Sequence, residues 1–245
     1  MKKIYFLLAA MLFTGTCLSA QNTESNAIPD NNGLTTASFS KWSVGATVGV
    51  DINVPIVGVA YMTDVEYGPR LGFGYGLNVA YRPFKWLAIR SGLNLLDKDY
   101  AFTHTISLDE NQATLVNLTS CKYLDLPVMA DFSVGKKVRW HLLFGGYIGY
   151  WLSGSRMGNT IPLMIVNDPG LVTEDYPFNS VRDNRFDAGL IYGPAMSIAC
   201  SRVVDINIEL LFFHGLTDVQ KNYMMQLNPH YNTTTLLQAG VTFNL

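Results

Sequence analysis

The segment Val204–Phe213 reads VDINIELLFF, and its side chains alternate between two chemistries. Successive side chains of a β-strand point to opposite faces of a sheet, so the pattern predicts a strand with one wholly apolar face. Few soluble sheets have such a face, and a strand of this kind is typical of a sheet that faces lipid. The apolar face carries Val204, Ile206, Ile208, Leu210 and Phe212, and the other carries Asp205, Asn207, Glu209, Leu211 and Phe213.

The same period of two recurs in seven other segments, which raises the number of predicted strands to eight. Each segment is at least as long as the 9 to 11 residues that a tilted strand needs to cross a bilayer. An even number of strands lets an up-and-down barrel close without an unpaired edge in hydrocarbon. We therefore predict an all-β fold, an eight-stranded antiparallel up-and-down transmembrane β-barrel. The other seven segments are Lys41–Asp51, Arg70–Arg82, Trp86–Lys98, Lys122–Ser133, Trp140–Leu152, Phe186–Cys200 and Thr234–Leu245.

The connections between these strands alternate long and short, as in outer-membrane barrels, which have long extracellular loops and short periplasmic turns. An amino terminus in the periplasm places every short connection on the periplasmic side. The long connections are Ile52–Pro69, Asp99–Cys121, Ser153–Arg185 and His214–Thr233, and the short ones are Pro83–Lys85, Val134–Arg139 and Ser201–Val203.

Charged residues divide sharply between the two faces of the predicted strands. The face that carries Trp42, Val44 and Ala46 in the first strand has no charge in any strand. Side chains fill the interior of an eight-stranded barrel, and partly buried charges there need partners. We therefore expect a side-chain-filled lumen with an ion-pair network; a narrow polar path is the alternative, although the inward Tyr147 and Trp151 obstruct it. The network comprises Lys41, Asp51, Arg70, Arg82, Arg90, Lys98, Asp125, Asp131, Asp187, Asp205 and Glu209.

The amino-terminal residues have the pattern of a secretory signal peptide. Lys2 and Lys3 precede the apolar run Ile4–Phe13, and small or polar residues follow. We expect cleavage between Ala20 and Gln21, a flexible periplasmic segment over 21–39 and the barrel domain over 40–245. A lipidated Cys17 is the rival interpretation, but Thr14 stands where a lipoprotein signal needs an aliphatic residue.

The sequence argues against a membrane-spanning helix, nucleic-acid binding and a disulfide bond. No mature segment has the 18 or more consecutive apolar residues of a membrane-spanning helix, although apolar residues make up 49% of the chain. Cleavage removes two of the 17 basic residues and none of the 19 acidic ones, so the mature net charge is −4 and nucleic-acid binding is not expected. Cys121 and Cys200 fall at opposite ends of the predicted strands, too far apart for a disulfide.

The predicted loops and strand ends suggest where the protein meets its surroundings. The loops carry an acidic excess, which divalent cations could bridge to lipopolysaccharide; a solvated outer surface is the alternative. The short turns are basic. The apolar patch Ile161–Val166 in the third loop fits a partner contact, and a lid over the barrel mouth is the alternative. Aromatic residues at strand ends predict two interfacial girdles: Trp42, Phe84, Trp86, Trp140 and Phe243 on the periplasmic side, and Tyr100, Phe102, Tyr150 and Phe212 on the outer side.

The sequence offers little support for catalysis or metal binding. His104 and Ser107 lie with Asp109 and Glu110 in one predicted loop and could form a nucleophile, base and orienting group, but polar loops often bring such residues together by chance. His141 and His214 are expected at strand ends. No Cys or His pair has ligand spacing, so we expect no enzyme activity, cofactor or metal.

Five stretches resemble the PorT-like outer-membrane β-barrel proteins common in Bacteroidetes. The resemblance extends over most of Trp42–Leu245, although the final Phe243-Asn244-Leu245 lacks the family's usual closing aromatic residue. The stretches are GLNVAYRPFKWLAIRSGLN (Gly76–Asn94), KYLDLPVMADF (Lys122–Phe132), LFGGYIGYWLSG (Leu143–Gly154), FDAGLIYGPAMSI (Phe186–Ile198) and IELLFFHGLTDV (Ile208–Val219).

The resemblance implies a barrel in the outer membrane of a Gram-negative bacterium, inserted by the barrel-assembly machinery and surrounded by lipid and lipopolysaccharide. One member type of the family is implicated in protein secretion, but the first strand, SKWSVGATVGVD (Ser40–Asp51), does not match that subgroup. We expect a structural or interaction protein, for example an accessory of a secretion or envelope complex whose partner contacts the loops or the amino-terminal segment. A small conducting channel is the alternative, followed by a lipid A-modifying enzyme.

Overall fold

The computed structural model of the chain describes residues 40–57, 65–108, 111–159, 171–221 and 230–245. Within these ranges all the helices and strands that make up the element order are β-strands. The strands are β1 (Trp42–Asn53), β2 (Ile56–Val57), β3 (Val65–Phe84), β4 (Leu87–Asp97), β5 (Tyr100–Leu108), β6 (Asn111–Gly135), β7 (Val138–Asn159), β8 (Leu171–Asp175), β9 (Phe186–Ala199), β10 (Val204–Gly215), β11 (His230–Tyr231) and β12 (Thr233–Asn244).

The strands close into a ring with eight positions. Going around it, the order is β1, β3, β4, β6, β7, β9, β10 and β12, and β12 pairs again with β1. Every pairing is antiparallel, and β5 continues the position of β4 between β3 and β6. Because the ring closes, these strands leave no open edge in the part of the barrel that they enclose. The prediction of an eight-stranded antiparallel barrel is confirmed.

The alternation of apolar and polar residues in β10 is matched by an alternation of more exposed and buried side chains in the structure. Asp205, Glu209 and Leu211 are fully buried, whereas Ile208 is exposed. The same period holds in β1, where Ser43 and Thr47 are buried while Trp42 and Val44 are exposed. The barrel therefore has an apolar outer surface and an inner surface on which most of its charged strand residues lie.

The two ends of the barrel differ, and we call them the turn end and the loop end. Three connections of two to four residues join β3 to β4, β6 to β7 and β9 to β10 at the turn end, as the sequence predicts. The β6–β7 turn depends on Gly135, whose φ of 125° is open to glycine but strained for other residues. A Cβ atom there would also collide with the carbonyl oxygen of Val138.

Several expected loops at the loop end are largely strand. The predicted loop Asp99–Cys121 contains β5 and the first half of β6, which pair as a hairpin from Tyr100–Thr119 to Leu108–Asn111. Likewise, β7 continues to Asn159 and pairs with β8. The sequence did not indicate this extension because strands that pair beyond the lipid do not need alternating apolar residues.

Backbone contacts join the loops to one another. β11 pairs with β2, which links the fourth loop to the first. An isolated bridge joins Asp183 to Gln220, and the amide of Lys221 donates to the carbonyl of Arg182 over 2.8 Å. The described parts of the third and fourth loops thus form one folded surface.

Glycines on the inner face of β3 leave room for bulky side chains from neighbouring strands. A Cβ atom on Gly74 would lie 2.8 Å from Leu96 and 2.9 Å from Leu236, both fully buried. We expect Gly74→Ala to lower the free energy of unfolding by about 1–3 kcal/mol because the packed lumen has no space for the methyl group. Gly68→Ala in the same strand is the control, since its nearest neighbour would be at an ordinary 3.5 Å. Urea unfolding of the barrel in lipid measures the stability of both variants. Equal losses of stability in the two variants would contradict this prediction.

Candidate functional site in the barrel lumen

The structure buries nine of the eleven charged residues expected in the lumen. Lys41 is an error of prediction: it precedes β1 and is exposed, because the strand begins one residue later. Arg70 is only partly buried and lies 3.8 Å from Asp99. The other nine fall into two groups, one nearer each end of the barrel, and not into a single network. The nine are Asp51, Arg82, Arg90, Lys98, Asp125, Asp131, Asp187, Asp205 and Glu209.

The group near the loop end is centred on Lys98. Its Nζ lies 3.0 Å from Asp125 Oδ2 and 2.7 Å from Asp187 Oδ2, and all three side chains are almost completely buried. The ammonium also lies 4.7 Å from the Tyr123 ring centroid and 4.8 Å from that of Tyr147. One cation thus binds two carboxylates in a buried site walled by aromatic rings.

A layer of apolar side chains occupies the middle of the lumen. Leu96, Leu143 and Leu236 have no exposed surface, and the Tyr147 and Phe213 rings pack edge to face with centroids 5.2 Å apart. Close-packed side chains of this kind leave little space for water. The full layer consists of Leu96, Met129, Leu143, Tyr147, Ile191, Ala195, Leu211, Phe213 and Leu236.

The group near the turn end contains a two-bond ion pair. Arg90 donates from Nη1 and Nη2 to the carboxylate of Glu209 over 2.7 and 2.9 Å, and Gln238 donates to the same carboxylate over 2.7 Å. Such two-bond pairs fix both position and orientation. Asp205 accepts from Arg139 and from Asn244, so each of these carboxylates has at least two donors.

Two members of the turn-end group were missed in the sequence. The sequence predicts Arg139 in a short basic turn and His141 at a strand end, yet the side chains point into the lumen and contact Asp205 and Asp131, respectively. The strand β7 begins at Val138, two residues earlier than predicted. Both residues share the parity of Tyr147 and Trp151, and that signal was sufficient to place them inside.

A model of the family described as "Outer membrane protein beta-barrel domain" matches residues 19–221 of the chain. The protein belongs to this family. As an outer-membrane β-barrel protein, it is located in the outer membrane of a Gram-negative bacterium, in contact with lipid and lipopolysaccharide. The turn end is expected to face the periplasm and the loop end the exterior, since periplasmic turns are short in such barrels.

The chain is similar to several solved outer-membrane barrels at low sequence identity. Neisserial surface protein A is 12% identical, with a TM-score of 0.44 and coverage of 84% of this chain and 98% of that chain. OprG from Pseudomonas aeruginosa is 8% identical, with a TM-score of 0.45 and coverage of 83% and 96%. Ail of Yersinia pestis is 12% identical, with a TM-score of 0.37 and coverage of 82% and 98%. No curated protein sequence matches the chain significantly.

Among the residues that the structure describes, no helix is long and apolar enough to span a membrane. In the same ranges, no three His, Cys, Asp or Glu side chains converge as metal ligands. Cys121 and Cys200 are separate thiols, as predicted.

Aromatic side chains cover the loop end of the outer-membrane barrel. Trp151 packs against Tyr176 and Phe178 with ring centroids 5.7 and 5.5 Å apart. The guanidinium groups of Arg156 and Arg182 each lie 4.3 Å from the Tyr176 ring centroid. The described part of the third loop therefore caps the lumen, in agreement with the lid interpretation. The patch Ile161–Val166 lies outside the described residues.

The predicted aromatic girdles are only partly present. The five periplasmic members are all exposed on the outer surface, as a girdle requires. On the outer side, Tyr150, Phe212 and Phe102 are half-buried. The prediction that Tyr100 belongs to this girdle is wrong, because its side chain is buried against His230. Tyr100 belongs to β5, beyond the end of β4, where the loops pack over it.

Some candidate residues cannot be placed. Asp109 and Glu110 of the proposed catalytic group lie outside the described residues, as do the side chains of His104 and Ser107. The signal cleavage site at Ala20 and Gln21 and the segment 21–39 also lie outside them.

The buried side chain of His230 makes the stability of the folded loops depend on pH. Its ring packs edge to face on Tyr67 and Tyr100, with centroids 5.4 Å away in both cases. Burial lowers the pKa of His230 to about 4, and the carboxylate of Asp218 opposes this effect. The unfolded loop, with an ordinary pKa near 6.5, therefore binds a proton more readily than the folded loop.

We predict that the loops open more easily as the pH falls from about 6.5 to 4, by up to tenfold per pH unit, because protonation favours the open form. Full loop stability is present above pH 6.5. Hydrogen exchange of the β2 and β11 amides at several pH values measures the effect. His230→Phe, which keeps a ring in the same site, should remove the pH dependence, and an unchanged slope in that variant would contradict the assignment.

Proposed function

We propose that the protein is a non-conducting outer-membrane barrel that acts as an interaction protein through its folded loop end. The observation that supports this most directly is the apolar layer in the middle of the lumen, in which Leu96, Leu143 and Leu236 are completely buried. An ion crossing this layer would have to leave water, at a cost of many kcal/mol. Ion pairs lie on both sides of the layer: Lys98 with Asp125 and Asp187 nearer the loop end, and Arg90 with Glu209 nearer the turn end.

The loop end has the properties of a recognition surface. The β5–β6 hairpin and the β7–β8 pair project beyond the barrel strands, and the β2–β11 pairing holds the first and fourth loops together. Loops held by a rigid scaffold are common binding sites. We propose an envelope protein as the partner, with the barrel as an accessory of a secretion or envelope complex of the PorT-like type.

The proposal includes a route to the membrane. A signal peptide over residues 1–20 directs export, and the barrel-assembly machinery inserts the strands. The remaining segment 21–39 lies in the periplasm, because β1 begins at the turn end with Trp42. An amino-terminal sequence of the protein purified from outer membranes tests the cleavage between Ala20 and Gln21 directly.

Conductance in planar bilayers separates the interaction barrel from a channel. We expect no stable openings for the wild-type protein, and openings in a triple variant Tyr147→Ala, Phe213→Ala and Leu236→Ala, which removes much of the apolar layer. Leu237→Ala is the control because this neighbour of Leu236 faces the lipid and is half exposed. Regular openings of the wild-type protein would refute the sealed lumen.

Affinity purification from native membranes tests the interaction role. A variant in which residues 103–116 are replaced by an Asn-Gly turn removes the projecting end of the β5–β6 hairpin and leaves the part of β6 that pairs with β4 intact. We expect a partner to be recovered with the wild-type chain and lost with this variant. Recovery of the wild-type protein alone, after extraction in mild detergent and chemical cross-linking, would count against an interaction role.

A further inference from the structure

Three side chains at the turn end form a hydrogen-bonded series that can activate a serine hydroxyl. Asp131, His141 and Ser197 come from the neighbouring strands β6, β7 and β9, and all three face the lumen. Asp131 Oδ1 lies 2.7 Å from His141 Nδ1, and His141 Nε2 lies 2.8 Å from Ser197 Oγ. Both distances are within the range required between a nucleophile, its base and the group that orients the base.

The hydrogen-bond partners determine which nitrogen carries the proton. An ionised Asp131 can only accept, so Nδ1 of a neutral His141 must be the donor and Nε2 the acceptor. The Ser197 hydroxyl therefore donates to Nε2, while Nε of Arg139 donates to Ser197 Oγ over 3.3 Å. This is the tautomer in which an imidazole can remove the proton of a serine. The hydrogen-bonded strands hold the three groups in this arrangement.

A small polar cavity adjoins the serine. Its volume is about 30 Å³, and its lining includes Ser197, His141 and Arg82. The side chain of Arg82 is almost fully buried, and its Nε has no hydrogen-bond partner among the described residues. An unused guanidinium donor beside a nucleophile can stabilise the negative charge that develops on a carbonyl oxygen. The cavity therefore contains a nucleophile, a base and a group suited to an oxyanion.

We propose that Ser197 is an acylatable nucleophile and that the turn-end cavity hydrolyses short-chain carboxylic esters that enter from the periplasm. Ser197 Oγ bonds to the acyl carbon as its proton moves to His141 Nε2, and the ester C–O bond breaks as His141 protonates the leaving alkoxide. Water then attacks acyl-Ser197 by the same proton transfers and releases the carboxylic acid. This activity is additional to the interaction role, and it replaces the expectation from the sequence that the chain has no catalytic residues.

A fluorophosphonate tests the nucleophile, because its phosphorus forms a stable bond to an activated serine as fluoride leaves. The folded barrel in detergent is treated with the reagent and digested, and the modified residue is identified by mass spectrometry. We expect one adduct, on Ser197, and slow hydrolysis of 4-nitrophenyl acetate. His141→Gln and Asp131→Asn should each lower both rates by on the order of 10³-fold or more.

Ser43 lines the same cavity and is buried to a similar extent, yet it should stay unmodified in the wild-type protein. Ser133→Ala is the matched control, since Ser133 lies two residues from Asp131 on β6 but is outside the cavity lining. This variant should keep full reactivity, whereas Ser197→Ala should lose it. Circular dichroism of each variant verifies that the barrel is folded. A folded wild-type protein that gains no adduct, or gains it equally on Ser43 and Ser197, would overturn the proposal, as would ester hydrolysis that persists in Ser197→Ala.

Discussion

Replacement of Lys98 by Met is expected to lower the free energy of unfolding by about 3–5 kcal/mol, because it leaves buried carboxylates without their cation. Asp125 and Asp187 both bind Lys98 Nζ, and none of the three has appreciable solvent exposure. Met has a similar length and fills much of the same space, so the effect reports the charge and not a large cavity. Equilibrium unfolding in urea, with the barrel in lipid vesicles, measures the change.

Lys122→Met is the matched control for this prediction. Lys122 Nζ lies 4.0 Å from Asp97 Oδ1, and its side chain is 54% exposed. Exposed ion pairs of this kind contribute only about 0–1 kcal/mol, so the control should be nearly neutral. Similar losses in the two variants would show that Lys98 does not have the special role that its enclosure implies.

Replacement of Arg90 by Met should have an effect of the same size, about 3–5 kcal/mol, because Glu209 would remain buried with only Gln238 as a donor. The double variant Arg90→Met and Glu209→Met should be at least about 2 kcal/mol more stable than the Arg90 variant alone. An apolar pair can replace a buried ion pair at little net cost, whereas a single buried charge is strongly unfavourable.

A double-mutant cycle measures the coupling energy between Arg90 and Glu209, with Glu209→Met as the second single variant. Additive losses in the four unfolding curves would mean that the two side chains do not stabilise each other. Lys41→Met is a useful reference, since this charge was expected in the lumen but is exposed.

The two ionic groups and the apolar layer together explain how a narrow barrel accommodates many charges. Each group contains its own counter-charges: Lys98 with two aspartates near the loop end, and Arg90 with Glu209 near the turn end. The layer that contains Leu143 and Ile191 separates them. A variant in one group should therefore leave the other intact, so losses from Lys98→Met and Arg90→Met should add within about 0.5 kcal/mol.

The eight ring strands, their approximate positions and the outer surface follow from the sequence alone. The alternation in Val204–Phe213 identifies which side chains contact lipid because a strand has a period of two and hydrocarbon tolerates no unpaired charge. The same rule placed Asp125, Asp187 and Glu209 in the lumen. It failed for Lys41, which lies one residue beyond a strand end, where the period no longer applies.

The partners of the buried charges were decided only by the tertiary structure. Lys98 is close in sequence to Asp97 and Asp99, yet it binds Asp125 and Asp187, because closure of the ring brings distant strands together. The series Asp131, His141 and Ser197 requires three strands in a particular register, which the pattern of each strand does not contain. The alternation of a strand determines which way a side chain points, but its height in the barrel and its neighbours depend on strand pairing.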